Sequence, residues 1–453
     1  MKNCQTFFIV AVATLFMVAN NIFAQTFSGG TGTEADPYLI SSKADLDVLA
    51  DSVNTIPYWS SIKHFKVTND ITEPFQNRIG FFDYEVNNFI ERTQYAFCGH
   101  FDGGGYRIML DINMPDKNNV GLFGLTFIGG HAIKNVIVEG SVIGKEFVGG
   151  LIAEAHVGDS WKHLISCCYS YCDVTAVGTD GYSIAGGLIG SGSAIIVNCY
   201  ATGNVSGVGD YVGGLIGWHG SKTGPIINSY ATGNVSGNNF VGGLAGYTDI
   251  AIFNSYFTGN VNSAGDSVGA IAGYIRSDSN LIKNCYYINT NTKGNQYGTL
   301  ISADELKSVD FSQVLNEGDV SGEWLGWLFG SDYDVVLAGP WEYDANNINQ
   351  GYPITTCGFY THITDHTFAS HFTISPNPAS ADVVTNFSLL ESGEITLEVC
   401  DIFGNVLISV TNFYDAGEHF VPLDLDGLAS GSYICRLISK GKQIGIANFV
   451  IWK

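Results

Sequence analysis

Between residues 120 and 290 hydrophobic and polar positions alternate in short runs, Gly-Gly pairs break the runs, and the whole pattern repeats. Its clearest copy is Tyr211-Val-Gly-Gly-Leu-Ile-Gly217, followed by Ile227-Asn-Ser-Tyr-Ala-Thr-Gly-Asn-Val-Ser-Gly237. The first half recurs with leads at Val120, Val148, Ala185, Val212, Val241 and Val268. The second recurs around Asn135, Asn198, Asn228, Asn254 and Asn284, with Cys167 in the missing Asn place. Steps of 27 to 37 residues between copies indicate a solenoid or array. Helical repeats need long apolar patterns at 3.6 spacing and tolerate little glycine, whereas Val, Ile, Tyr and Thr at period two between tight turns are strand chemistry. About 28 residues make a path of roughly 90 Å, enough for one coil of three short strands, and coils stacked about 4.8 Å apart pair every strand with its neighbours.

The alternation has a phase. Ile227, Ser229, Ala231, Gly233 and Val235 are small or apolar, and Asn228, Tyr230, Thr232 and Asn234 hold the other parity. Val197, Cys199, Ala201 and Val205, and Phe253, Ser255, Phe257 and Val261, fall in the first set in neighbouring copies. Successive strand residues point to opposite faces, so the first parity is expected in the core. The other parity is expected to form outward ladders, one of them Tyr169, Tyr200, Tyr230, Tyr256 and Tyr286. Val212 and Leu215 lie three apart, and a bend at Gly213-Gly214, where glycine permits unusual backbone angles, is expected to bury both.

The repeated Val-Gly-Gly-Leu element with its Asn-Cys-Tyr-Ala-Thr-Gly-type strands resembles the GLUG motif family of bacterial surface proteins over roughly residues 120–290. The resemblance implies a surface β-helix and carries no catalytic residues. Ala185 for Val, Ala270 for the second Gly, and a short first unit at Val120-Gly-Leu-Phe-Gly124 depart from the pattern. Gly32-Thr-Glu-Ala-Asp-Pro-Tyr-Leu-Ile40 and the turn Asp102-Gly-Gly-Gly105 resemble the region that commonly precedes such repeats.

Residues 1–24 read as a secretory signal: Lys2, a short apolar run from Phe7 to Val18, and cleavage between Ala24 and Gln25. The run is short for a spanning helix, a retained anchor being the alternative, and no other transmembrane segment is expected in the mature chain. Ser42 to Val53 is expected to form an amphipathic helix capped by Ser42, with Leu46, Leu49 and Val53 on one face, closing an end of the solenoid. After Tyr287 the period fails; Ser302-Ala-Asp-Glu-Leu306, Trp324, Trp327 and Trp341 are expected in a second cap and linker.

Past Phe368 short alternating strands return, including Ile395 to Phe403, Val406 to Thr411, Glu418 to Leu425, Ser432 to Ile438 and Ile444 to Ile451. They suit a small β-sandwich. The Ser375-Pro-Asn-Pro378 start, the Asp401-Ile-Phe-Gly-Asn405 turn and Leu428-Ala-Ser-Gly-Ser-Tyr433 closely resemble the C-terminal sorting domain of the type IX (Por) secretion system. That resemblance implies the type IX machinery as partner and export across the outer membrane of a Bacteroidetes-type bacterium. The fold class expected is thus all-β: a parallel β-helix with a capping helix, then a small C-terminal β-sandwich. The expected division is 1–24 signal, 25–119 N-terminal cap and first strands, 120–290 repeats, 291–366 second cap and linker, and 367–453 sorting domain.

Composition narrows the function. A net charge of −23 disfavours nucleic acid and anionic membranes as partners. The cysteines show no C-x-x-C metal spacing, and no carboxylate run matches a calcium loop, so neither metal nor cofactor is expected. Cys168, Cys172, Cys199 and Cys285 fall on the inward parity and read as buried hydrophobes, a disulfide between stacked neighbours being the alternative, while Cys400 and Cys435 either pair or simply pack. His362, His366 and His371 lack an H-E-x-x-H pattern, and Asp332 and Asp334 read as a turn. A hydrolase or lyase would need paired carboxylates, or acidic metal ligands beside a basic residue, and Glu139 and Asp173 occupy different places in their units. No catalytic residue is assigned. The feature singled out is the Tyr169–Tyr200–Tyr230–Tyr256–Tyr286 ladder, which suits sugar rings or extended peptides of a glycan or matrix ligand. Its other reading is stabilisation of neighbouring coils by cross-strand pairs. Adhesion, a polysaccharide-degrading enzyme and a passive spacer are the functions this architecture allows.

Overall fold

The computed structural model describes residues 27–82, 89–128, 132–157, 164–179, 183–220, 224–276, 281–288, 297–316, 341–344, 347, 349–355, 372–375, 379, 383–389, 392–400, 406–425, 427–429, 431–439 and 442–451. Ala24, Gln25, Trp324, Trp327, Asp332, Asp334, His362, His366 and His371 lie outside them. The chain divides into two compact units, one of residues 1–330 with 337–358 and one of 331–336 with 359–453.

The first unit is a parallel β-solenoid of about seven turns. A long sheet runs from Tyr38–Ile40 to Thr299–Leu300, a six-stranded sheet from Phe123–Ile128 to Ala272–Ile275, and a five-stranded sheet from Val148–Gly149 to Val268–Gly269. The solenoid therefore begins well before residue 120: Tyr38–Ile40, His64–Val67 and His100–Asp102 pair in succession ahead of Ala132–Lys134. Register follows the sequence repeat, with Val212 opposite Val241, Val241 opposite Val268, and Tyr200 opposite Tyr230.

The repeated Asn owes its place to the backbone. Asn135, Cys167, Asn198, Asn228, Asn254 and Asn284 all adopt φ between 47° and 55°, the left-handed region in which Asn is the favoured side chain after glycine. Each turns the long sheet through a corner. The corner resets the parity expected from the sequence: Ile196, Ile226 and Ile252 enter the main core, whereas Val197, Ile227 and Phe253 are buried outside it. Beyond the corner an inward column of Cys168, Cys199, Ser229, Ser255 and Cys285 accepts backbone hydrogen bonds. The Cys199 and Ser229 amides donate to Ser229 Oγ and Ser255 Oγ at 3.2 and 3.1 Å, and the Cys168 amide to Cys199 Sγ at 3.4 Å. Serine and thiol exchange there because both are small groups that hydrogen-bond the backbone, and the three cysteines also join the hydrophobic core as expected. Burial pushes the Cys172 and Cys285 thiols up to about 12, so they stay protonated. Cys167 is disulfide-bonded, whereas Cys400 and Cys435 are buried free thiols.

At the Val-Gly-Gly-Leu bend Val212 and Leu215 both enter the core. Neither Gly213 nor Gly214 has a positive φ; the left-handed residues are the aromatics just before the valines, Phe147, Tyr211 and Phe240, at 52°, 67° and 52°. Glycine is needed there for room, since a Cβ at Gly213 would lie 2.0 Å from the Ile216 carbonyl oxygen.

The helix Lys43–Thr55 starts at Ser42, whose hydroxyl accepts from the Asp45 amide while the Asp45 carboxylate accepts from the Ser42 amide. Its Leu46, Leu49 and Val53 join the core of the first coils. In the second unit Phe372–Ser375, Val383–Leu389 and Gly417–Leu423 form one antiparallel sheet. Gly393–Cys400, Val406–Tyr414, Gly431–Ser439 and Lys442–Ile451 form another. Phe387, Leu397, Leu437 and Phe449 share one core between them. The strand Val383–Leu389 was not foreseen from the sequence.

His219 gives the solenoid a pH dependence. Its fully buried ring lies 3.1 Å from the Ala194 carbonyl oxygen through Nε2, and burial pushes its pKa down from 6.5 to about 4. The unfolded chain binds this proton between those values and the folded chain does not. The stability contributed is therefore complete above pH 6.5 and is lost as pH falls toward 4, by about 3 kcal/mol. Urea midpoints at pH 7.5 and 4.5 should differ less for His219→Gln than for the parent; an equal difference would remove His219 as the cause.

Candidate functional site

The Tyr ladder forms as a stack. Tyr169 and Tyr200 have ring centroids 4.1 Å apart, Tyr200 and Tyr230 4.6 Å, and Tyr230 and Tyr256 4.9 Å, with planes within 15° of parallel. Its middle is not an open surface. Tyr200, Tyr230 and Tyr256 are buried with Leu306, Phe311, Leu315, Trp341 and Tyr352, contributed by the segment that follows the repeats. Trp341 lies 5.4 Å from Tyr256, whose hydroxyl donates to the Pro353 carbonyl and accepts from Asn349 Nδ2 at 2.7 Å. Burial pushes the Tyr230 and Tyr256 phenols well above their ordinary range. Phe311 meets the half-buried Tyr286 edge-on at 4.8 Å, and Tyr169 is also half-buried. The parity of the strands predicts an exposed strip; instead these rings seat Leu306, Phe311, Leu315, Trp341 and Tyr352, because parity decides which side of a strand a ring leaves, not what covers it.

A second aromatic strip lies on the six-stranded sheet. Trp218 stands opposite Tyr247 and Tyr247 opposite Tyr274, so consecutive coils contribute one ring each. Centroids are 6.0 and 5.7 Å apart, with planes 14° and 16° from parallel. Beside them the left-handed Tyr211 and Phe240 stack at 4.8 Å and meet Tyr247 edge-on at 6.0 and 6.4 Å. Four of the rings are half-buried, and Tyr274 is 38% exposed. The sequence signal was the residue after each Leu-x-Gly or Ile-Ala-Gly step, which is Trp218, Tyr247 and Tyr274 in the last three coils.

Polar groups border the strip. The Tyr247 hydroxyl donates to Asp249 Oδ1 at 2.7 Å, and Arg276 Nη1 lies 3.8 Å from Asp249 Oδ2. Burial, helped by the Asp249 carboxylate, pushes the Tyr247 phenol up to about 12 and keeps it a donor. Asp210 Oδ1 accepts from Asn238 Nδ2 at 2.9 Å. In the same column, two coils before Trp218, Glu154 accepts from Asn119 Nδ2 at 2.5 Å and lies 2.8 Å from His156 Nε2. The face thus offers flat apolar rings beside planar hydrogen-bonding groups, and one carboxylate paired with an imidazole. Among the described residues no group of His, Cys, Asp and Glu could hold a metal ion.

Comparison with known proteins assigns the C-terminal unit. Residues 373–451 match the family model of the secretion system C-terminal sorting domain. A protein of Evansella cellulosilytica, named as a Gly-rich membrane protein, is 34% identical over 149 residues. That match spans 32% of this chain and 16% of the relative. The sorting domain engages the type IX secretion machinery and sends the chain to the cell surface or extracellular space. Among the described residues no helix is long and apolar enough to cross a membrane.

Proposed function

We propose that this is an adhesin-like surface protein whose solenoid binds a glycan or matrix ligand through the strip of Trp218, Tyr247 and Tyr274. The signal sequence, cleaved between Ala24 and Gln25, and the sorting domain deliver it, and the GLUG-type repeats at 120–290 act as the display scaffold. The observation that carries this reading is a row of rings reaching the surface of the six-stranded sheet beside Asp249 and Arg276. Aromatic faces next to hydrogen-bonding groups are what sugar and peptide ligands use. The exported chain is expected to bind components of a glycan and extracellular-matrix array. A folded Trp218→Ala, Tyr247→Ala double variant should lose that signal. Binding kept by the double variant would move the site elsewhere on the molecule.

Glu154 favours a second reading, a polysaccharide-degrading enzyme (lyase or hydrolase) with Glu154 as its base, because Asn119 and His156 hold its carboxylate in the same column as Trp218. Such an enzyme releases reducing ends from a polysaccharide and stops doing so on Glu154→Gln.

A further inference from the structure

We propose that the strip takes an uncharged glycan chain laid along the solenoid axis, with the Trp218 indole as its stacking residue and Gly220 as the residue that positions that indole. This rests on the binding role proposed above and specifies the ligand class and the residue that sets the site.

Three observations select the class. One ring per coil, with a rise of about 4.8 Å between coils, repeats along the axis, so a ligand that repeats along its own length fits better than an irregular one. The bordering groups are Asp249, Arg276 and the Tyr247 hydroxyl, planar or hydroxylic partners suited to ring hydroxyls. Arg276 faces the Asp249 carboxylate, while Asp210 and the net charge of −23 bias the surroundings against uronate or sulfate chains.

Gly220 sets the platform. A Cβ built there would meet Trp218 Cη2 at 2.3 Å and Cζ3 at 2.4 Å, so the six-membered ring of the indole fills the space that a side chain at 220 would take. Alanine at 220 displaces the indole first, because the three nearest atoms all belong to that side chain and none to backbone.

The test uses the exported chain with cellohexaose, xylohexaose and mannohexaose as neutral probes. Heparin hexasaccharide and oligogalacturonate serve as anionic probes, and fibronectin and collagen as protein probes. At least one neutral hexasaccharide should bind. Trp218→Ala should weaken it by about tenfold. Gly220→Ala should weaken it several-fold without moving the unfolding midpoint and should add nothing in the Trp218→Ala background. If Trp218→Ala does not fold, Tyr274→Ala, with its more open ring, carries the same test. Neutral binding unchanged in the folded Trp218→Ala variant overturns the stacking role. Binding confined to anionic or protein probes, and lost in that variant, overturns the ligand class while leaving the adhesin reading in place. No binding of any probe by the parent overturns both.

Discussion

Gly213→Ala is expected to destabilise the solenoid by about 3 kcal/mol or more. The added Cβ would sit 2.0 Å from the Ile216 carbonyl oxygen and 2.7 Å from the Gly246 amide nitrogen, both backbone atoms of hydrogen-bonded coils. Interiors packed to crystal density relieve such a clash only by shifting whole strands, and here the shift would pass into the coil carrying Val241. Gly220→Ala provides the contrast, since the three atoms nearest its Cβ lie at the far end of the Trp218 side chain and its midpoint should stay at that of the parent. Urea denaturation of both variants decides the matter; equal midpoints would mean that the bend relaxes more easily than its close contacts imply.

Tyr256→Ala should cost about 3–5 kcal/mol, the range for emptying a fully buried aromatic site. The ring is 0% exposed, stacks on Tyr230 and packs beside Trp341, and its hydroxyl joins Pro353 to Asn349. The loss should be local. Coils of a solenoid contact mainly their neighbours, so the residues around Trp341 and Asn349 should loosen before the distant Tyr38–Ile40 strand responds. Hydrogen exchange is therefore the measurement, with faster exchange expected at Trp341, Asn349 and Gly351. Tyr256→Phe keeps the ring and should cost about 1–2 kcal/mol for the Pro353 carbonyl left without that donor. If Tyr256→Ala leaves exchange at those amides unchanged, the ladder does not hold this segment down.

The sequence was most informative where one coil constrains the next. Val212, Val241 and Val268 fall in register along the five-stranded sheet, as the spacing of the Val-Gly leads predicts. Corner geometry was hidden: Asn228 read as an outward polar position, and its left-handed φ, which shifts Ile226 rather than Ile227 into the core, emerged only with the fold. The cover over Tyr256 was hidden for another reason. Pro353 lies 97 residues away in a stretch with no period, so nothing local marks it as a partner. Trp218, Tyr247 and Tyr274 did not stand out as a column, because the equivalent earlier positions hold Leu125, Glu154 and Ser191. Asp249 and Arg276 could be placed beside it only once the loops had been folded.

One ring per coil also makes the reach of the strip a matter of unit number. Duplicating a unit such as the one led by Val241 would add a rung with its own aromatic residue and leave both ends of the solenoid chemically unchanged. A polymeric ligand would then gain an extra foothold at high effective concentration, so avidity could rise stepwise without any single contact becoming stronger. In such an array, recombination between near-identical repeats tunes grip by counting.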